Sequence, residues 1–152
     1  MNGPKETPIF SAPADMQCSA GPIVCWFTRP PGIVFQLTEA TRMTLAMASW
    51  VAGPAFQAMR EHFAGNCSFY FLIDIRAMTE RDPGVREAFM MLARDSGSQL
   101  SASVIIPPRR ANPLYLSALQ TASALLTPFG TKLEVTADLQ RVIDQYRLQP
   151  AT

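Results

Sequence analysis

Five charged residues crowd the nine positions from Asp74 to Asp82: Asp74, Arg76, Glu80, Arg81 and Asp82. They follow an apolar run, FYFLI, and precede a Pro-Gly pair. A second apolar run, SASVIIPP, ends on Arg109 and Arg110. Guanidinium groups on loops at the carboxyl ends of neighbouring parallel strands share one lip, where open α/β sheets bind ligands. Helix N-termini behind such a lip add to its attraction for anions. Arg76, Arg81, Arg109 and Arg110 are therefore a candidate site for a phosphate, a carboxylate or an acidic partner surface. The bland alternative is four solvated loop arginines paired with Glu80, Asp82 or Glu87, each pair contributing about 0–1 kcal/mol. Asp74 and Asp82 have local readings as well. Asp74 is placed to bond turn amides and pair with an arginine, and Asp82 is placed to cap the helix that follows.

Enzyme chemistry finds little support. His62 is the single histidine, and a general base needs organised partners; near the end of a helix it reads as a surface residue facing the dipole. The sequence holds no nucleophile elbow, phosphate-cradling glycine loop or zinc-protease motif. Cys18, Cys25 and Cys67 have no metal-site spacing. They read as reduced thiols of a cytoplasmic protein, with Cys67 a small residue at the start of a strand. No metal or cofactor is expected.

Six methionines, Met43, Met47, Met59, Met78, Met90 and Met91, fall on or beside two helices. They suit either core filling or an adaptable groove for a lipid or partner helix. Met90 and Met91 are adjacent and cannot face the same way. Trp50 lies off the main apolar stripe of its helix; with Met47 and Pro54 it marks a candidate exposed patch, a feature that often binds something.

These residues need a scaffold. The chain has 152 residues, 48% hydrophobic and 16% charged, with net charge +1. That suits one domain and gives no general pull toward nucleic acid or membrane. Of the 13 basic residues only Lys5 and Lys132 are lysines, which reflects genome composition as easily as anion recognition. No apolar run has the length to span a bilayer, and the N-terminus lacks the pattern of a secretory signal. With four prolines in its first 22 residues, the stretch 1–21 reads as a flexible tail, leaving 22–149 as the domain.

Residues 23–28 and 33–37 are apolar and β-branched and flank RPPG, predicting a hairpin. Thr44 caps a helix with Leu45, Ala48, Ala52, Phe56, Met59 and Phe63 on one face. Gly53-Pro54 must kink or restart it, and it ends near 64–66. The run 68–75 is too uniformly apolar for a half-exposed strand and reads as a central, parallel one. Asp82-Pro83 opens a second helix with Val85, Ala88, Phe89 and Leu92 inward. A strand at 101–107 follows. Asn112-Pro113 opens a third helix, with Tyr115, Leu119, Ala122 and Leu126 inward, and Pro128-Phe129-Gly130 stops it. A strand at 132–136 leads to a helix capped by Thr136, with Leu139, Val142, Ile143 and Tyr146 inward. The order β-β-α-β-α-β-α-β-α implies a mostly parallel mixed sheet of about five strands and four helices.

Three ordered stretches carry a resemblance: FQLTEATRMTLAMASWVAGPAFQAM, FLIDIRAMTERDPG and KLEVTADLQRVIDQY. Across residues 23 to 148 the chain resembles the SpoIIAA-like branch of the STAS superfamily (sulphate transporter and anti-sigma factor antagonist domains). The resemblance implies that fold and a non-enzymatic regulatory or scaffolding module that binds another protein. Family members that act as phospho-switches carry a serine or threonine at the start of the second helix. Here Pro83 stands where the serine would, so no phospho-switch is expected. A small apolar-ligand or lipid-binding domain is the alternative, motivated by the methionines and by related folds. The hairpin edge and the Trp50 patch also suit a homodimer.

Overall fold

In a computed structural model, residues 4–126 and 133–152 are described, the side chains at 119 and 122–126 excepted. The hairpin forms as β2 (Ile23–Arg29) and β3 (Gly32–Leu37), antiparallel and in register from Ile23 opposite Leu37 to Thr28 opposite Gly32. Beside β3 run β5 (Phe69–Asp74), β7 (Leu100–Ile106) and β8 (Leu133–Val135), all parallel. These are the five strands expected from the sequence. β5 is central and buried on both faces, which explains its unbroken apolar run.

Two short strands were not foreseen on the hairpin edge. β1 (Met16–Gln17) and β9 (Gln149–Pro150) pair with opposite ends of β2, making seven strands. They occupy the edge that an unprotected hairpin would offer to another chain. The ladder is too short for hydrophobic periodicity to reveal it. A separate two-stranded pair joins β4 (Thr41–Met43) to β6 (Met78–Arg81).

The first helix is α1 (Leu45–Trp50), a π-helical turn (Val51–Ala55) and α2 (Phe56–His62). Thr44 caps it, its hydroxyl accepting from the Met47 N–H at 3.2 Å. Pro54 does not break the helix. The π turn accommodates the missing donor. Met47, Ala48, Val51, Ala55, Phe56 and Met59 are buried, and Leu45, expected inward, is exposed. The other helices are α3 (Val85–Ser96), α4 (Pro113–Leu126) and α5 (Leu139–Tyr146).

Two caps differ from expectation. Asp82 does not cap α3, whose start is set by Gly84 at φ +90°, a left-handed position glycine adopts freely. The Asp82 carboxylate instead accepts from the Leu45 N–H of α1 (3.2 Å) and pairs with Arg42 (2.5 Å). That ion pair and amide bond hold its pKa below the ordinary carboxylate range. Asp138, rather than Thr136, caps α5 through the Arg141 N–H at 3.0 Å. Asn112 caps α4 as expected, bonding the Tyr115 N–H at 2.8 Å. The stop at Pro128-Phe129-Gly130 lies outside the described residues, as do the inward positions Leu119, Ala122 and Leu126 of α4.

Two apolar layers flank the sheet. One packs α1–α3 against Ile33, Phe35, Phe71 and Ile73. The other gathers Trp26, Val34, Leu72 and Val104 with Val142 and Leu148. Here the expectation of a flexible tail over 1–21 is corrected for residues 4–21. Phe10 is buried edge-on to Trp26, at 5.6 Å between ring centroids. The Gln36 side chain bonds Thr7 and Ile9 backbone groups at 2.8 and 3.0 Å. Trp26 Nε1–H donates to Ala12 O at 2.9 Å, and Asp15 accepts from the Phe27 N–H at 2.8 Å. Prolines here select an extended segment that borrows partners from the sheet; composition registers the extension but not the partners.

Glu6 latches the beginning of this segment to Arg109 by a two-pronged carboxylate–guanidinium contact. The Arg109 hydrogen bond holds the Glu6 pKa below its ordinary value, against a smaller opposing effect of burial. A depressed folded-state pKa contributes stability above the unfolded value, lost as pH falls through the folded one. Acid titration below about pH 4.5 is expected to release the segment and shift Trp26 emission. A Glu6→Gln variant should lack that component, about 0–1 kcal/mol for an exposed pair. Identical titrations of the two proteins would refute the latch.

Candidate functional site

β5, β7 and α3 leave a cavity of about 120 Å³ between them, beside β6 and the start of α4. Parallel register aligns Phe71, Ser103 and Leu133 across three strands on the face beneath it. Val85, Phe89 and Leu92 of α3 form its roof, and Met43, Met78 and Met90 contribute flexible walls. The methionines thus divide. Met47 and Met59 fill the core, Met90 lines the cavity, and Met91 points outward at 58% exposure.

Ser103 is the polar exception in this floor. It is 5% exposed, and its hydroxyl has no hydrogen-bond partner among the described residues. A buried hydroxyl without a partner costs about 1–3 kcal/mol. At the mouth, the Arg81 guanidinium lies 5.2 Å from the Tyr115 ring centroid, a cation–π contact. Burial pushes the Tyr115 hydroxyl above its ordinary pKa, and the Arg81 charge partly offsets this. Arg86 joins the same wall. Ser103 and Arg86 were not singled out from sequence, and Tyr115 was read only as an inward position of the third helix. The available signal was a serine on the same face as Ile105 in the strand read at 101–107.

The four arginines expected on one lip are not equivalent. The β5 and β7 ends do meet, with the Arg109 N–H donating to Arg76 O at 3.2 Å. Arg76 is held by Asp74, which accepts Nε and Nη2 at 2.9 and 2.8 Å and the Arg76 backbone N–H at 3.0 Å. Arg109 is held by Glu6. Arg81 belongs to the cavity on the opposite face of the sheet, and Arg110 lies in the exposed turn. The shared anion lip is therefore corrected. Two of its members are neutralised by carboxylates, one of them from the N-terminal segment that was expected to be loose.

The Met47, Trp50 and Pro54 patch is corrected too. Met47 is buried and Trp50 packs edge-on to Phe35 at 5.8 Å, so Pro54 is the exposed member. His62 is exposed in the last turn of α2, its ring 5.0 Å from Phe27. The three cysteines are free thiols. Burial, with a contribution from the Asp15 charge, pushes the Cys25 thiol up to about 12. Cys67, read as a small buried or edge residue beside the central strand, is exposed just before β5. Among the described residues no cluster of side chains suits a metal ion, and no helix is long and apolar enough to cross a membrane.

No protein-family model matches the sequence, and no curated protein matches it. Among solved structures the fold is similar to an uncharacterized protein of the DUF3478 family from Shewanella loihica PV-4, described as having a SpoIIAA-like fold. The likeness has a TM-score of 0.53 at 14% identity and covers 76% of this chain and 83% of that one. The hairpin, the parallel strands and the helices packed on them make this chain a SpoIIAA-like α/β domain in its fold.

Proposed function

We propose that this domain is a binding module, rather than a catalyst, that holds a small and largely apolar molecule between the sheet and α3. The observation that carries the reading is the buried Ser103 hydroxyl, unpartnered among the described residues in an otherwise apolar cavity floor. A site kept for a ligand sacrifices stability in the empty state. Ser103→Ala is therefore expected to raise the melting temperature by about 2–4 °C, near 1 kcal/mol for a domain of this size. The same change should weaken binding of the neutral probe 4-ethylphenol, read by calorimetry. A destabilised Ser103→Ala protein, or wild-type protein that ignores the probe, would count against the cavity as a site.

A regulatory or scaffolding role toward another protein is the second reading. The exposed side chain of Met91, at 58%, and exposed Pro54, both lining the open groove between the first helix and α3, favour it. Pro83 offers no hydroxyl for phosphorylation before α3, so ligand occupancy is the better control signal for such a module. Met91→Glu should abolish capture of a specific protein from host lysate if this face is used; undiminished capture by the folded variant would refute it.

A further inference from the structure

We infer that the ligand is an amphipathic monocarboxylic acid. Its ring-sized apolar body fills the cavity, a hydroxyl or carbonyl oxygen meets Ser103, and its carboxylate lies at the mouth on Arg81 and Arg86. The inference rests on the cavity reading above and adds the chemical class.

Size limits the apolar body. A cavity of about 120 Å³ is slightly smaller than the engineered apolar cavity of about 150 Å³ that binds benzene. A long acyl chain does not fit within it. Among the described residues, Phe71, Val85, Phe89, Leu92 and Ile105 provide contacts for carbon, and the charged lining residues are Arg81 and Arg86. In the sheet floor, between Phe71 and Leu133, Ser103 can donate to or accept from one ligand oxygen.

Charge assigns the other end. Arg81 and Arg86 both line the cavity, and neither makes an ion pair among the described residues. Arg81 has acidic neighbours on its own strand and turn, but Arg42 takes them: it bonds Glu80 at 2.6 Å and Asp82 at 2.5 Å. The Arg42 bridge therefore leaves the Arg81 guanidinium free of those carboxylates, while the Tyr115 ring holds it at the edge of an apolar chamber. A planar guanidinium in that position matches a carboxylate in two-pronged geometry. A phosphorylated metabolite or nucleotide would need further polar donors inside, where the walls are carbon.

Calorimetric titration with three probes tests the assignment: 3-(4-hydroxyphenyl)propionate, 3-phenylpropionate, which lacks the hydroxyl, and 4-ethylphenol, which lacks the acid. The hydroxy acid is expected to bind wild-type protein about tenfold more tightly than 4-ethylphenol, as one charge-assisted contact at a solvent-facing mouth provides. That advantage should vanish in an Arg81→Gln/Arg86→Gln variant whose circular dichroism matches wild type. The hydroxy acid should also exceed 3-phenylpropionate several-fold in wild type and equal it in Ser103→Ala. Equal wild-type affinity for the acid and for 4-ethylphenol would overturn the acid assignment and leave the cavity reading standing. Binding of none of the three would overturn both, and tighter binding of oleate than of the hydroxy acid would overturn the size limit.

Discussion

Gly32→Ala is expected to cost about 3–5 kcal/mol, a large share of the ~5–15 kcal/mol that holds a domain of this kind. Gly32 opens β3 and sits opposite Tyr70 of β5 in the parallel ladder. A methyl group there would lie 2.3 Å from Tyr70 O, 2.8 Å from its N and 2.9 Å from its C. Those are backbone atoms of the central strand, and no rotamer change can move them. Relief requires β3 and β5 to part, which breaks the Tyr70 N–H bond to Pro31 O (3.0 Å) and disturbs the apolar rows above and below. Gly53→Ala is the internal control. Nothing lies within 4 Å of its added methyl, and alanine is the better helix residue by about 0.5–1 kcal/mol. Urea unfolding should show the midpoint falling steeply for the first variant and holding or rising for the second. Equal midpoints for the two variants would mean that the strand contact is not as close as described.

Asp74→Ala is expected to lose about 2–3 kcal/mol. The carboxylate is 3% exposed and bonds both the guanidinium and the backbone N–H of Arg76. Truncating one partner of a buried ion pair typically costs about 3–5 kcal/mol, since the other charge is stranded. The Arg76 side chain is 28% exposed, so water recovers part of that. Asp74→Asn keeps an acceptor for the turn amide and should lose about half as much. The double variant Asp74→Ala/Arg76→Ala should be less destabilised than the sum of its single changes, because the stranded charge is gone. A double-mutant cycle by urea unfolding measures that coupling; strict additivity would refute the pair as a unit. A consequence beyond stability also follows. Arg76 O receives the Arg109 N–H, and Arg109 holds Glu6. Loss of Asp74 should therefore loosen the N-terminal segment, visible as Trp26 emission responding at milder acidity than in wild type.

Much of this molecule can be read from its sequence, for local reasons. A short unbroken run of aromatic and branched residues such as 69–73 reads as a strand covered on both faces. Thr44 and Asn112 announce helix starts because a short side-chain oxygen beside free amides satisfies them whatever the surroundings. Asp74 before a turn, with an arginine two residues on, has an adequate local partner set, and the structure places it with that partner.

What tertiary structure decided are matters of pairing between distant segments. Asp82 stands in a good position to cap α3, yet its carboxylate goes to α1 and Arg42, brought near by the β4–β6 pair. Residues 4–21 have the composition of a tail, but they complete the bonding of Gln36, Trp26 and Phe27 on an otherwise open sheet face. In the first helix Met47 is buried and Leu45 exposed, while a π turn at Val51–Ala55 interrupts the regular helical period on which the expected stripe was drawn. The arginine lip dissolved because ion pairs depend on which carboxylates the fold delivers: Glu6 reaches Arg109 across 103 positions of sequence. The candidate site was hidden for the same reason. Ser103 gains meaning only when register sets it between Phe71 and Leu133 beneath α3, where its hydroxyl meets carbon rather than water or backbone.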